Sequence, residues 1–511
     1  MKNILFQLSL LLIFSIIIGC EGGFDDPIDS KREIAVPLFY TTTNLTNLLD
    51  GINDETSITM GPEGIVTLNY RGNVTKRTGN ELFNFIPVLP IPLLDSVTIF
   101  DFDLPGALDI TLTKIKAGNL GIVFDNPFAE KVDVTIRIPE LTKNGETFEK
   151  NRLLDSIGTA GESWPILPFY PLAGYDLATD SDQLTITYEA YRESDGERII
   201  FTNTHAIGIS GLEFSYAEGY WGQELLDLER DTIEIEFFEN WVQGDVYFED
   251  PVIQITVENG FGFPVQSVVN TLEILTVDGS NITLESSYIQ DGIDFDYPAL
   301  NEVGQIRTTV FDFDKTNSNV VDVLSSGPVS VDYDVDAVSN PDQTQVIGFM
   351  TDTSYFQVQV AVDLPFRGHV NNFKGRDTFN VNFEQYDQVE YVEFKMVAEN
   401  ELPLGIGIQV YFVGEDEMGD EFLLDSLYAV DENILTPAPV DTNGNATGEI
   451  SEKVTFSTIN ATQFDNIRKA RKMVIDGTFF TTDVNNSPAP IVNLKTDQDV
   501  NIRMGMKVGT K

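Results

Sequence analysis

Residues Asp231-Thr232-Ile233-Glu234-Ile235-Glu236-Phe237 set an apolar side chain at every second position, with an acid or a threonine between. Successive side chains of a β-strand point to opposite faces, so this stretch turns Ile233, Ile235 and Phe237 to a core and its acids to water. Phe311-Asp312-Phe313-Asp314 and Val331-Asp332-Tyr333-Asp334-Val335-Asp336 repeat the pattern. The dipeptides Asn144-Gly145, Asp195-Gly196 and Asp278-Gly279 separate such runs in the manner of antiparallel hairpins. Helical periodicity is scarce. The one convincing helix is Thr462 to Met473, where Phe464, Ile467 and Ala470 recur at three-residue spacing. The expected fold is all-β, made of antiparallel β-sandwiches.

The opening motif recurs. Asp95-Ser96-Val97-Thr98-Ile99 and Asp377-Thr378-Phe379-Asn380-Val381 share its Asp, its Ser or Thr and its alternation, and each is expected to open a strand. Downstream of each copy, an apolar strand ends in Asn with a Pro close behind: Asp125-Asn126-Pro127, Glu258-Asn259 before Pro264, and Glu399-Asn400 before Pro403. Asn caps a turn locally and Pro cannot continue a ladder, so the pair marks a tight corner between strands. Two elements recurring in one order at similar spacing predict three tandem β-sandwich modules. Their expected bounds are 34–210, with extra strands between Ile34 and Phe85, then 211–363 and 364–511.

The corner resembles the strand-Asn-Pro-strand pattern of late-embryogenesis-abundant type 2 and related immunoglobulin-like sandwiches. Val362-Asp363-Leu364-Pro365-Phe366-Arg367-Gly368, with Asp377-Thr378-Phe379 and the Asn400 corner, is similar to modules of Bacteroidota surface lipoproteins. That resemblance implies a family whose members seldom carry an active site.

The N-terminus points the same way. Lys2 precedes an apolar run from Ile4 to Ile18, too short and too polar for a membrane span of about 20 residues and fitting a secretory signal. Ile17-Ile18-Gly19-Cys20 resembles the bacterial lipobox, which implies cleavage after residue 19 and acylation of Cys20, the sole cysteine. Residues 20–33 are then a lipidated tether. Its Glu21-Gly22-Gly23-Phe24-Asp25-Asp26 resembles the surface-export signal of Bacteroidota lipoproteins, with a plain solvated linker as the alternative. The expected location is the outer membrane, at the cell surface or on its periplasmic face.

Composition narrows the function. The 511 residues carry 81 Asp and Glu against 31 Lys and Arg, a formal charge of −50. A phosphate backbone would be repelled, which excludes nucleic acid as the main partner. Yet 42% of residues are apolar and 11% aromatic, so the acidity is not that of a disordered chain. With one cysteine, no disulfide forms within the chain.

Catalytic constellations are not evident. The two histidines, His205 and His369, lie near no nucleophile elbow and no metal-ligand spacing. Carboxylates are too numerous for a glycosidase pair to be picked from sequence. Asp441, Asn443, Asn445 and Glu452 match positions one, three, five and twelve of a calcium loop. Ala446 stands where the turn glycine belongs, Pro437 and Pro439 precede the loop, and a polar hairpin is the alternative.

Aromatic residues gather around Tyr220 and Trp221, with Trp241 nearby, and suit a glycan platform, a protein contact or core packing. Trp164-Pro165 to Pro171 is expected to form a rigid loop facing a partner. Arg468-Lys469-Ala470-Arg471-Lys472 ends the expected helix, where cations complement the dipole or meet acidic groups. The functional expectation is a non-catalytic surface lipoprotein serving as an accessory or scaffold subunit of an outer-membrane complex. A glycan-binding lipoprotein of a nutrient-uptake system is the alternative.

Overall fold

The computed structural model describes residues 33–45, 56–79, 90–101, 108–179, 183–202, 205–226, 230–235, 241–382, 389–415, 420–428 and 432–510. Cys20 and the acidic tether lie outside the described residues, as do Glu236 and Phe237 of the opening motif. All described pairs of neighbouring strands are antiparallel, in five sheets. No helix among the described residues is long and apolar enough to cross a membrane.

An eleven-stranded sheet has the long strands Asp109–Asp125 and His205–Tyr220 as its spine. Their shared ladder is broken by several bulges, which bend and twist a sheet, and it encloses one core containing Phe124, Phe148, Ile136 and Trp164. Next along the chain, a five-stranded sheet around Tyr355–Pro365 faces a six-stranded sheet around Pro328–Ser339. The third core lies between a seven-stranded sheet centred on Lys472–Thr481 and a four-stranded sheet holding Val389–Asn400.

Strand pairing does not respect the expected module bounds. Glu33–Asn44 pairs with Asp499–Thr510, and Val66–Thr78 pairs with Tyr355–Pro365. The strands expected to extend the first module therefore complete the third and second sandwiches. Trp241–Phe248 likewise joins the seven-stranded sheet through Arg367–Asn380, and Ile347–Thr351 joins the first sheet through His205–Tyr220. Alternation specifies which face of a strand is buried but not which open edge it completes. The third copy of the Asp-Thr motif does not open a strand either. Asp377 lies late in the fourteen-residue strand Arg367–Asn380, opposite Ile475.

The asparagine corner recurs with one geometry. Asn126, Asn259 and Asn400 are all buried at strand ends. Each side-chain oxygen accepts from the backbone N–H two residues on, at Phe128 (2.9 Å), Phe261 (2.9 Å) and Leu402 (3.0 Å). Each amide also donates to the carbonyl of a distant segment: Asp155 (2.8 Å), Asp296 (3.2 Å) and Thr436 (2.8 Å). Asn126 and Asn400 add a bond to the carbonyl four residues ahead. The side chain thereby turns the strand and ties the corner to a second segment, meeting backbone groups that burial would otherwise leave unpaired.

The expected hairpin turns form. Asn144 (φ 54°) and Gly145 (φ 81°) join Val132–Lys143 to Glu146–Leu154, as two consecutive left-handed residues do in a type I′ turn. The expected helix is shorter than its periodicity suggested, spanning Ala461–Ile467 behind a capping box of Asn460 and Gln463. Beyond it the chain enters strand Lys472–Thr481, because Met473 and Ile475 are claimed by the third core.

The second sandwich is underfilled. Between its sheets lies a cavity of about 320 Å3. Inward-facing Ile253, Ile255, Val358 and Val360 are accordingly only half-buried.

Candidate functional site

The segment Trp164-Pro165-Ile166-Leu167-Pro168-Phe169-Tyr170-Pro171 is stitched at both ends to one strand. Ser163–Trp164 pairs with Phe124 and Asp125, and Tyr170–Pro171 pairs with Asn119 and Leu120, all on Asp109–Asp125. Trp164 is 2% exposed in the first core, and its indole N–H donates to the Tyr170 hydroxyl at 3.2 Å. Between these anchors, Ile166, Leu167 and Phe169 are 45%, 58% and 43% exposed. Beneath them Gly121 admits a close approach, since a Cβ there would stand 2.6 Å from Ile166 Cγ1. Three prolines fix φ along the segment, and the sheet fixes its ends. The result is an apolar tip held in place before any partner arrives, which lowers the ordering cost of binding.

The other aromatic candidates behave differently. Trp221 is 6% exposed and stacks on Phe263, with ring centroids 4.8 Å apart. The core it joins contains Phe124 and Phe214 from the first sheet and Phe261 and Val265 from the second sandwich, so Trp221 lies where the two meet. Tyr220 is half-buried, and its hydroxyl accepts from the Asn340 amide at 3.1 Å. The backbone of Trp241 pairs with Gly375, and its indole lies outside the described residues. A sugar stacks on a ring face open to water, which neither Trp164 nor Trp221 offers.

The calcium-like loop is a self-bonded turn. Asp441 Oδ1 accepts from the N–H groups of Asn443 (2.8 Å) and Asn445 (3.0 Å), and Asn445 Oδ1 accepts from the Asn493 amide at 3.1 Å. Glu452 stands on strand Ser451–Ile459 opposite Glu399. No group of three or more His, Cys, Asp or Glu suited to a metal occurs among the described residues. In the basic cluster, Arg468 pairs with Asp465 at 2.7 Å and Lys472 pairs with Glu421.

Both histidines are packing residues. His205 lies 4.0 Å from the Phe124 ring, stacked on it, and its Nδ1 accepts from the Asp125 N–H at 3.4 Å. His369 stacks on Tyr247. Burial pushes the His205 imidazole down to about 4 and lowers that of His369. A folded value below the unfolded value of about 6.5 means that the unfolded chain binds the extra proton. His205 thus favours folding fully above pH 6.5, and that contribution is lost as pH falls towards 4. Amide exchange in His205–Tyr220 should show the wild type losing roughly 3 kcal/mol more than His205→Phe between pH 7 and pH 4. Equal losses would contradict the buried neutral imidazole.

The exposed tip was legible in part, from the prolines and Trp164. The cavity was not, because alternation places the same residues inward whether or not two sheets meet.

Comparison with known proteins adds little. No family model matches the chain. No curated protein matches it either. A crystal structure of a Parabacteroides distasonis protein, described as secreted, aligns over 93% of this chain and 99% of its own at 10% identity, with a TM-score of 0.24. The infectious bursal disease virus VP2 subviral particle aligns over 98% of this chain and 86% of its own at 8% identity, with a TM-score of 0.15. TM-scores this low do not establish a common fold.

Proposed function

We propose that this chain is a non-catalytic lipoprotein, anchored through Cys20 on the outer membrane and exposed at the cell surface. There it serves as an accessory or scaffold subunit of an integral outer-membrane complex. The observation that carries this reading is the pinned apolar tip at Ile166, Leu167 and Phe169. Exposed apolar side chains whose backbone is already fixed suit a protein contact. The lipobox-like Ile17-Ile18-Gly19-Cys20 supplies the membrane, and about 0.8 kcal/mol per buried methylene makes a multiply acylated cysteine a durable tether. The acids that alternate along the strands keep the remaining surface away from anionic lipid.

A tagged wild-type protein should copurify from gently solubilised membranes with a stoichiometric β-barrel companion. Leu167→Asp should remain membrane-anchored yet lose that companion, since removing an interface anchor costs about 2 kcal/mol or more, roughly thirtyfold in affinity. Wild type eluting alone would overturn the proposal.

A further inference from the structure

We propose that the cavity of the second sandwich is a binding site for the alkyl chain of an uncharged lipid or similar linear hydrophobe. Its volume of about 320 Å3 falls at the lower end of the roughly 300–1,000 Å3 spanned by small-molecule sites. One wall presents Ile255, Val358 and Val360 and the other Leu272, Val331 and Val335. These side chains face inward from paired strands yet stay half-buried, so between the two sheets lies space that their own side chains do not fill.

Water is a poor occupant, because it needs two to four polar partners. The lining is predominantly aliphatic and aromatic, and two of its polar groups are already engaged. Ser267 Oγ accepts from the Ile293 N–H at 2.9 Å, and the Asp336 carboxylate accepts from the Asn270 amide at 2.7 Å. The occupant is therefore apolar. The chain's net charge of −50 sets its charge class: a carboxylate or phosphate head would be repelled, and a neutral one would not. This site is separate from the apolar tip and does not depend on the partner proposed for it.

The test uses the chain from residue 20 onward carrying Cys20→Ser, which retains every described strand and has no acyl chain of its own. The neutral dye N-phenyl-1-naphthylamine is titrated by fluorescence. It should bind saturably at one site, be displaced by 1-dodecanol, and be displaced at least tenfold less effectively by dodecanoate. Val360→Trp and, from the opposite wall, Leu272→Trp should each weaken dye binding at least tenfold while keeping a β-sheet circular dichroism spectrum and a cooperative melt. Absence of saturable binding by the parent chain would overturn the proposal. So would unweakened binding by either variant once it is shown to be folded, and equal displacement by dodecanoate would overturn the assigned charge class.

Discussion

Asn400→Ala is expected to destabilise the third sandwich by about 3–5 kcal/mol, because a buried group stripped of its hydrogen-bond partner costs about 1–3 kcal/mol. The substitution strands the buried Leu402 N–H and removes two further hydrogen bonds, to the carbonyls of Leu404 and Thr436, each worth about 0.5–1.5 kcal/mol. Unfolding of several sandwiches need not be two-state, so amide exchange is the suitable readout. Protection should fall in Val389–Asn400 and Leu404–Glu415 and persist in Val132–Lys143 of the first core. Asn400→Asp keeps the acceptor for Leu402 but loses the donors and sets a carboxylate against two carbonyls, so it should be at least as damaging. A loss below about 1 kcal/mol would contradict the corner's role, given that a single net hydrogen bond is worth about that much.

Trp221→Ala is expected to cost about 3–5 kcal/mol, the usual range for removing a large aromatic from a core. Its position next to Phe263 and among residues of two sandwiches predicts that the loss spreads to both. Exchange should accelerate in His205–Tyr220 and in Val265–Thr276 together. Trp221→Phe should be much milder, since it keeps a ring and removes an indole N–H that has no hydrogen-bond partner among the described residues. An exposed sugar platform would show the reverse: loss of ligand with stability unchanged.

How much of this could be read from the sequence differs by feature. Alternation at residues 231–235 and 331–335 marked the strands and the side chains they turn inward, because the two-residue period is a local property. Asn126, Asn259 and Asn400 were visible as corners, because an Asn near a Pro constrains its own backbone. Their second bonds, to Asp155, Asp296 and Thr436, reach a segment about thirty residues away, as Asn126 to Asp155 illustrates, and no local pattern encodes that. Partner choice was illegible for the same reason. Glu33–Asn44 carries nothing that distinguishes the edge offered by Asp499–Thr510 from any other open edge. For the aromatic candidates, composition marked Trp164, Tyr220 and Trp221 but left core packing, protein contact and sugar platform open. Trp164 is buried while its neighbours Ile166 and Leu167 are exposed, so the residues that meet solvent are the plainer ones beside it.

The acids acquire a structural place in the same way. Asp332 pairs with Arg230, and Asp312 accepts from Gln254, on the faces opposite the inward Val331 and Phe311. These acids lie on sheet faces turned away from the core. In the proposed reading, such a surface stands off an anionic bilayer and leaves contact to the tether and to the apolar tip.

The proposed anchoring rests on Cys20. Cells expressing wild type or Cys20→Ala would be fed an alkyne-bearing palmitate and then treated, intact, with a protease that does not enter the periplasm. Wild type should incorporate the label, fractionate with the outer membrane and be digested on intact cells. Cys20→Ala should be unlabelled and escape digestion. Wild type that carries no label, or that is fully protected until the cells are opened, would contradict the proposed anchoring at the cell surface.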